Sequence, residues 1–249
     1  MRRLLSILLL ALPLSLSAQQ LTYDTALRVE MKDGRVESVP LPLAPVANVI
    51  VEFQDAPMAK LAVRATSVSP AAYKATFQRF RADVASIEGA EVGWEYFRTF
   101  NGVSVSVPRA AVAKLRALPY VKAVHPDGEV HALADPVPPV NVKQIKADAF
   151  WAQFGTRGAG IVVAIIDTGI DYTHPALAGR VLGGYDFVNK DDDPMDDNLH
   201  GTHVAGIVAG RSDVLLGVAP EASLIAYKVL GASGSGKQSD VLAAVERSV

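Results

Sequence analysis

The sequence predicts an α/β protein: an incomplete, doubly wound parallel sheet preceded by a small α+β domain. Three observations carry this. The run Ile161-Val162-Val163-Ala164-Ile165-Ile166 is apolar and stops at Asp167-Thr168-Gly169. A β-branched run that ends in a turn reads as a buried strand of a parallel sheet. From residue 159 onward such runs alternate with stretches of helical period, the pattern of a parallel sheet wound with helices. Residues 46–131 instead read β-α-β-β-α-β, which is the split βαβ, ferredoxin-like order.

Composition sets the outer limits. The chain has 249 residues, 50% of them hydrophobic, and a formal net charge of −2. That is a globular composition, long enough for two modest domains. A near-neutral charge gives no electrostatic footprint for nucleic acid or for an anionic membrane surface. Cysteine is absent. Disulfides, zinc–thiolate sites and a cysteine nucleophile are therefore excluded.

Residues 1–18 begin with Arg2 and Arg3, continue through an apolar centre from Leu4 to Leu14, and end in Ser15, Ser17 and Ala18. This is the pattern of a secretory signal peptide, cut after Ser17 or Ala18. The apolar run is shorter than the roughly 20 residues needed to span a bilayer. Residues 19–45 carry Pro40, Pro42 and Pro45 and read as an extended linker.

The first domain covers residues 46–131. Val46 to Phe53 is strand-like. Pro70 to Ile87 places Ala72, Phe77, Phe80, Val84 and Ile87 at roughly helical spacing. Val92 to Phe97 and Val103 to Val107 read as two strands around Asn101-Gly102, the second alternating valine with serine. Ala110 to Leu118 is a short helix, and Tyr120 to Val124 a last strand before Pro126-Asp127-Gly128.

Residues 132–158 are transitional. Asp135-Pro-Val-Pro-Pro139 marks a boundary, and Lys146 to Phe154 reads as a helix ending near Gly155. In residues 159–249, strand 161–166 is followed by a turn at His174-Pro175, the segment Val181 to Val188, an acidic loop from Asp191 to Asp197, and a helix beginning at His200. Leu224 to Leu230 is a second apolar strand, Gly231 to Gly236 a flexible loop, and Asp240 to Val249 a helix with Val241, Leu242 and Val245 on one side.

Two residues stand where chemistry is expected. Asp167 ends the first parallel strand, and open α/β sheets build their sites at the carboxyl ends of strands. His200 begins a helix whose Val204, Ile207 and Val208 share one face. A serine hydroxyl needs a base beside it to act as a nucleophile. Histidine titrates in the range that lets it take and return that proton. A buried aspartate fixes the imidazole tautomer and stabilises the imidazolium. Asp167 takes the orienting role and His200 the role of base.

The other polar residues receive plainer readings. His203 and His200 suggest a metal pair, but no third ligand is evident, and a packed helix histidine is preferred. His174 is a turn residue, and Asp171 lies on a turn. Asp191, Asp192, Asp193, Asp196 and Asp197 are hard-oxygen ligands suited to structural Ca²⁺. Without EF-hand-like spacing, a solvated acidic loop is preferred. No metal site is assigned, and the chemistry requires no cofactor.

The pieces FNGVSVSVP and VAKLRALPYVKAVHPDGEV, within residues 100–130, resemble the inhibitor-type propeptide that precedes secreted subtilisin-family proteases. IDTGIDYTHP, HGTHVAGIVAG and GVAPEASLIAYKVLGASGSG resemble the subtilisin-like serine proteases themselves, nearest the secreted bacterial members. The order Asp, His, then a distant Ser is the subtilisin order. The resemblance implies an inhibitor I9-type propeptide over 46–131, a processing region and mature N-terminal segment over 132–158, and a truncated peptidase S8 domain over 159–249. It implies a propeptide tail lying in the substrate cleft, cut within 131–140. It also implies that Gly234-Ser235-Gly236 pairs with substrate backbone, a role that suits small residues. Gly201 would leave room beside the imidazole, and Thr202 would be structural. The implied partners are polypeptide substrates and the chain's own propeptide. Neither nucleic acid nor, after signal cleavage, a membrane is a partner, and the protein would be a secreted monomer.

The family's third motif, a Gly-Thr-Ser-Met-Ala-type segment, is absent. Ser212, Ser223, Ser233, Ser235, Ser239 and Ser248 follow His200, and none has that context. The asparagine of an oxyanion hole is not identifiable either, and that contribution is usually large. The expectation is an N-terminal portion of a serine endopeptidase zymogen, inactive as it stands. The alternatives are a non-enzymatic, propeptide-like inhibitor or folding assistant of another protease, and a metal-dependent hydrolase using His200, His203 and an Asp.

Overall fold

The computed structural model describes residues 27–32, 35–40, 44–62, 70–132, 142–213 and 215–249. The signal-peptide residues 1–18 and the cleavage region 133–140 lie outside the described residues. Two compact units divide the chain at Pro45. In the first, β1 (Leu27–Lys32) and β2 (Arg35–Pro40) form an antiparallel hairpin in which Leu27 faces Pro40 and Lys32 faces Arg35. The extended linker expected over 19–45 is thus paired strand over much of its length. The segments LRVEMK and RVESVP are short β-prone runs, and ladder pairing satisfies their backbone groups.

The second unit begins with a four-stranded antiparallel sheet. Its strands are β3 (Val46–Phe53), β4 (Glu91–Tyr96), β5 (Gly102–Pro108) and β6 (Val121–Pro126), in the order β4-β5-β3-β6. That is the ferredoxin-like order. The short helix α1 (Met58–Ala62) follows β3. Helix α2 (Pro70–Val84) buries Tyr73, Phe77, Phe80 and Val84, while Ala72 is exposed. Phe77, Phe80 and Val84 thus lie on the buried face as expected, and only at its start does the aromatic Tyr73, which buries more area, take the place of Ala72. Phe53 meets Phe77, Phe80 and Tyr120 at centroid distances of 5.9, 5.6 and 5.8 Å. A 3₁₀ turn (Arg109–Ala111) leads into α3 (Val112–Arg116). Gly102 opens β5 rather than sitting in the turn. A Cβ there would lie 2.1 Å from the Val51 carbonyl oxygen, so only glycine lets β3 pass so close.

After β7 (Glu129–His131) and helix α4 (Ala147–Phe154), which ends on Gly155 in the left-handed region, comes a three-stranded parallel sheet. It consists of β8 (Val162–Asp167), β9 (Val181–Asp186) and β10 (Ser223–Lys228), in the order β8-β10-β9. Its two faces are covered by different helices. Ile165, Leu224 and Ala226 pack with Ala205 and Ala209 of α5 (His200–Ala209). Ala164, Ile166, Ile225 and Tyr227 point the other way, toward Ala243 and Ala244 of α6 (Gln238–Arg247). Alternation along each strand thus feeds two cores, which makes the sheet doubly wound. Between β10 and α6, the short strand β11 (Ser235–Lys237) pairs antiparallel with β7.

Among the described residues, no helix is long and apolar enough to cross a membrane.

Candidate active site

Asp167 is the last residue of β8 and His200 the first of α5. Their side chains meet at 2.7 Å, Asp167 Oδ1 to His200 Nδ1. Asp167 Oδ1 also accepts the Thr168 N–H at 2.7 Å. The carboxylate is 9% exposed, so it is shielded while the imidazole reaches toward solvent.

The helix start is built by a residue the sequence reading left in a solvated loop. Leu199, ahead of His200, has φ 89° and offers no side-chain cap. Asp196 takes over that role. Its carboxylate accepts the N–H groups of Asn198, Leu199 and Thr202 at 2.9, 3.0 and 2.8 Å, and the hydroxyls of Thr168 and Thr202. Burial alone would push this carboxyl up. The donors, Thr202 foremost, outweigh burial and hold it below the ordinary aspartate value. Gly201 N–H donates to Thr168 Oγ1 at 2.9 Å, and Thr202 Oγ1 accepts the Asp171 N–H at 2.8 Å. The strand end and the helix start are therefore stitched directly to each other. A Cβ on Gly201 would fall 2.1 Å from the Gly169 carbonyl oxygen and 3.1 Å from Asp167 Cβ. The room that Gly201 leaves is thus for the β8 turn.

Lys228 is the second residue that sequence reasoning missed. It ends β10, opposite Asp167 in the parallel register, and is 1% exposed. A lone lysine in the apolar run Leu224 to Leu230 was the available signal, since lysine is almost never fully buried without partners.

The remaining polar residues lie apart from the pair. Asp171 accepts from the hydroxyl and the N–H of Thr173, and the hydroxyl hydrogen bond is the leading cause of its lowered pKa. His174 Nδ1 accepts the Ala176 N–H at 3.2 Å, capping the turn Pro175–Leu177. His203 is exposed rather than packed, because α5 turns Ala205 and Ala209 inward instead. Asp191 caps Asp193, Asp193 accepts from Tyr172, and Asp197 receives Lys228. Among the described residues, no three or more His, Asp or Glu side chains are grouped to hold a metal ion.

Gly234, Ser235 and Gly236 lie on and beside β11. Ser235 faces His131, and Gly236 faces Val130. The ladder continues at both ends, with Ala132 N–H donating to the Gly234 carbonyl at 2.7 Å and Gln238 N–H to the Gly128 carbonyl at 3.0 Å. The segment expected as a flexible loop is thus an edge strand occupied by the tail of the ferredoxin-like unit. The same unit is held by α6. One carboxylate, Glu246, accepts the N–H groups of Phe97 and Thr99 at 2.7 and 2.8 Å, the Thr99 hydroxyl at 2.8 Å, and the Arg98 N–H. Asp127 accepts from both the N–H and the hydroxyl of Ser239 at 2.8 and 2.7 Å. Trp94 Nε1 donates to Asp240 at 2.8 Å, and its ring lies 5.4 Å from Phe187.

A parallel sheet with an Asp–His pair at its carboxyl edge, carrying a ferredoxin-like unit whose tail fills the adjacent strand edge, defines a subtilisin-like protease segment with an inhibitor-type unit. The comparisons agree. The Subtilase family model matches residues 158–249, and the Peptidase inhibitor I9 model matches residues 48–133. The minor extracellular protease Vpr of Bacillus subtilis is 37% identical over 227 residues, 81% of this chain and 28% of that protein. Subtilisin E of Bacillus subtilis is 41% identical over 167 residues, 66% of this chain and 42% of its own length. A thermophilic serine proteinase of a Bacillus species is 50% identical over 94 residues, 36% of this chain and 23% of its own length. Residues 158–249 thus form a subtilase-family segment, with an inhibitor I9 unit over residues 48–133 ahead of it. The chain spans 28%, 42% and 23% of the lengths of these three relatives.

Proposed function

We propose that this chain is part of a secreted serine endopeptidase zymogen, in which Asp167 and His200 are the orienting acid and the general base of an Asp-His-Ser triad. The observation that carries the reading is the 2.7 Å contact between Asp167 Oδ1 and His200 Nδ1. With Nδ1 committed to the carboxylate, Nε2 is the free base. It takes the proton of a serine hydroxyl as that oxygen attacks the scissile carbonyl, then returns it to the leaving amine. Asp167 stabilises the imidazolium formed in between. The chemistry runs on protein groups and calls for no cofactor. The nucleophile comes from outside residues 1–249. Within them, Ser235, Ser239 and Ser248 hydrogen-bond to His131, Asp127 and the Ala244 carbonyl.

The strand edge at Gly234, Ser235 and Gly236 serves the substrate backbone. Its pairing with residues 129–132 supports this, because those residues occupy the edge as an extended peptide would. Residues 46–131 are then an inhibitory propeptide, removed by a cut within 131–140, and residues 1–18 direct secretion.

The test is to express the chain in frame with a subtilase C-terminal portion that supplies the serine, and to follow hydrolysis of a chromogenic peptide. His200→Ala is expected to lower kcat by about 10⁴-fold or more, and Asp167→Asn by about 10⁴-fold. Full activity in either variant would overturn the assignment.

A further inference from the structure

We infer that Lys228 is a positioning residue of the site, a single buried cation on which all three of its chain segments converge. The inference rests on the reading of Asp167 and His200 given above. The Lys228 ammonium donates to the Thr168 carbonyl at 2.7 Å, to Asp197 Oδ1 at 2.5 Å and to the Leu230 carbonyl at 3.0 Å. An ammonium has three protons, and each has one acceptor.

The three acceptors belong to different parts of the site. Thr168 follows the acid Asp167 directly and gives its own N–H to that carboxylate. Asp197 lies in the loop that leads into His200, beside the capping Asp196. Leu230 follows β10 and leads to the strand edge at Gly234, Ser235 and Gly236; its N–H and that of Val229 both donate to the Asp167 carbonyl oxygen, at 3.1 and 2.8 Å. Lys228 therefore fixes acid, base and peptide-binding edge relative to one another.

Burial gives this arrangement its force. Lys228 is 1% exposed, whereas the Asp197 side chain is 49% exposed. An ion pair in which both partners were solvated would contribute little. Here the cation is withdrawn from water, so its attraction to the two carbonyls and the carboxylate is weakly screened, and leaving it unpartnered is costly. The position accepts few substitutes. A neutral side chain leaves two carbonyls short of a donor. A guanidinium is planar and spreads its donors in a fork, which does not match three acceptors arranged around one nitrogen.

The experiment uses the 249-residue chain with ¹⁵N-labelled histidine and alanine and reads the His200 Nδ1–H resonance and its solvent exchange by NMR. Asp167→Asn tests the underlying reading, and loss of the low-field resonance is expected. If that variant leaves the resonance unchanged, the acid–base pairing itself fails, whatever Lys228 does. In Lys228→Met, exchange of the His200 Nδ1–H is expected to quicken at least about tenfold, the size of one lost charge-assisted hydrogen bond. Backbone amides of Ala205 and Ala209 on α5 serve as the internal yardstick. Quickening of Nδ1–H alone supports positioning. An unchanged Nδ1–H, or equal quickening of Nδ1–H and the α5 amides, overturns it and leaves Lys228 a stabilising residue only. Should Lys228→Met fail to fold, Asp197→Ala removes one acceptor and leaves the ammonium on both carbonyls. It is expected to quicken Nδ1–H exchange severalfold with α5 unaltered, and no effect in that variant counts against the inference.

Discussion

Ser235 and His131 face each other across an antiparallel ladder, with Ser235 Oγ and His131 Nδ1 2.9 Å apart. One belongs to the peptidase segment and the other to the tail of the ferredoxin-like unit. Gly236, the next residue, carries no side chain and so lies close against the chain that follows β10. A Cβ there would lie 2.0 Å from the Val229 carbonyl oxygen.

Gly236→Ala is therefore expected to push β11 off β10 and loosen its pairing with the tail. Forcing a methyl group into such a contact costs about 1–3 kcal/mol. Thermal unfolding of the chain should report it as a Tm lowered by several degrees. An unchanged Tm would show that the edge yields freely.

Gly201→Ala acts on the pair itself. Its Cβ would meet the Gly169 carbonyl oxygen at 2.1 Å, so α5 has to retreat from the end of β8. The separation of Asp167 Oδ1 and His200 Nδ1 should then exceed hydrogen-bond reach. A crystal structure of the variant measures it directly, and a contact still at 2.7 Å would refute the steric argument.

Glu246 is the keystone between α6 and the β4–β5 connection. Its carboxylate accepts from three consecutive backbone N–H groups. Glu246→Ala leaves those donors without a partner and should cost about 2–4 kcal/mol. Glu246→Gln keeps one acceptor oxygen and should cost less. Chemical denaturation followed by Trp94 fluorescence, with its indole at the same interface, gives both values. Equal stability of all three proteins would exclude this role.

Two carboxyls give opposite pH dependences. Asp196 is held below the ordinary value of 3.8, its donors outweighing burial. The folded form binds that proton less readily than the unfolded chain. The stabilisation is complete above the ordinary value and is lost as pH falls through the depressed one. Asp196→Asn should therefore destabilise at pH 7 and approach the parent in acid.

Asp240 is the reverse case. Burial pushes its carboxyl up, and the Trp94 hydrogen bond only partly offsets this. Folding then favours the protonated form, so its contribution is present below the ordinary value and is lost as pH rises through the raised one. Asp240→Asn keeps an acceptor for Trp94 Nε1 and cannot ionise. Its Tm relative to the parent should rise between pH 4 and pH 7. A difference that does not change with pH would remove Asp240 from the titration.

Much of this was legible from residue order. The run at 161–166 ending at Asp167 specified a strand of the parallel sheet with a carboxylate at its tip, although β8 lies at the edge of that sheet, with Val162 exposed and Ile165 buried. The alternation of Val103, Val105 and Val107 specified a strand with one apolar face, and the structure buries Ser104 on the other face as well. The β-α-β-β-α-β order constrained the first sheet, and the motifs around Asp167 and His200 marked the two residues whose side chains meet at 2.7 Å.

Tertiary structure decided what joins those parts. Asp196, Asp197 and Glu246 are unremarkable charges in sequence, where nothing distinguishes a solvated carboxylate from one that caps a helix. The partners are distant along the chain: Lys228 meets Thr168, and Glu246 meets Phe97. A hydrogen bond between such groups exists only once the sheet and helices have brought them together. The strand edge at Ser235 is decided in the same way, since a short glycine-rich segment has no periodicity of its own and becomes a strand when another backbone supplies its donors and acceptors. Local pattern determined the elements because hydrophobic periodicity is a property of neighbours in sequence. The cooperation of the site was decided by the fold because electrostatic and hydrogen-bond partnership is a property of neighbours in space.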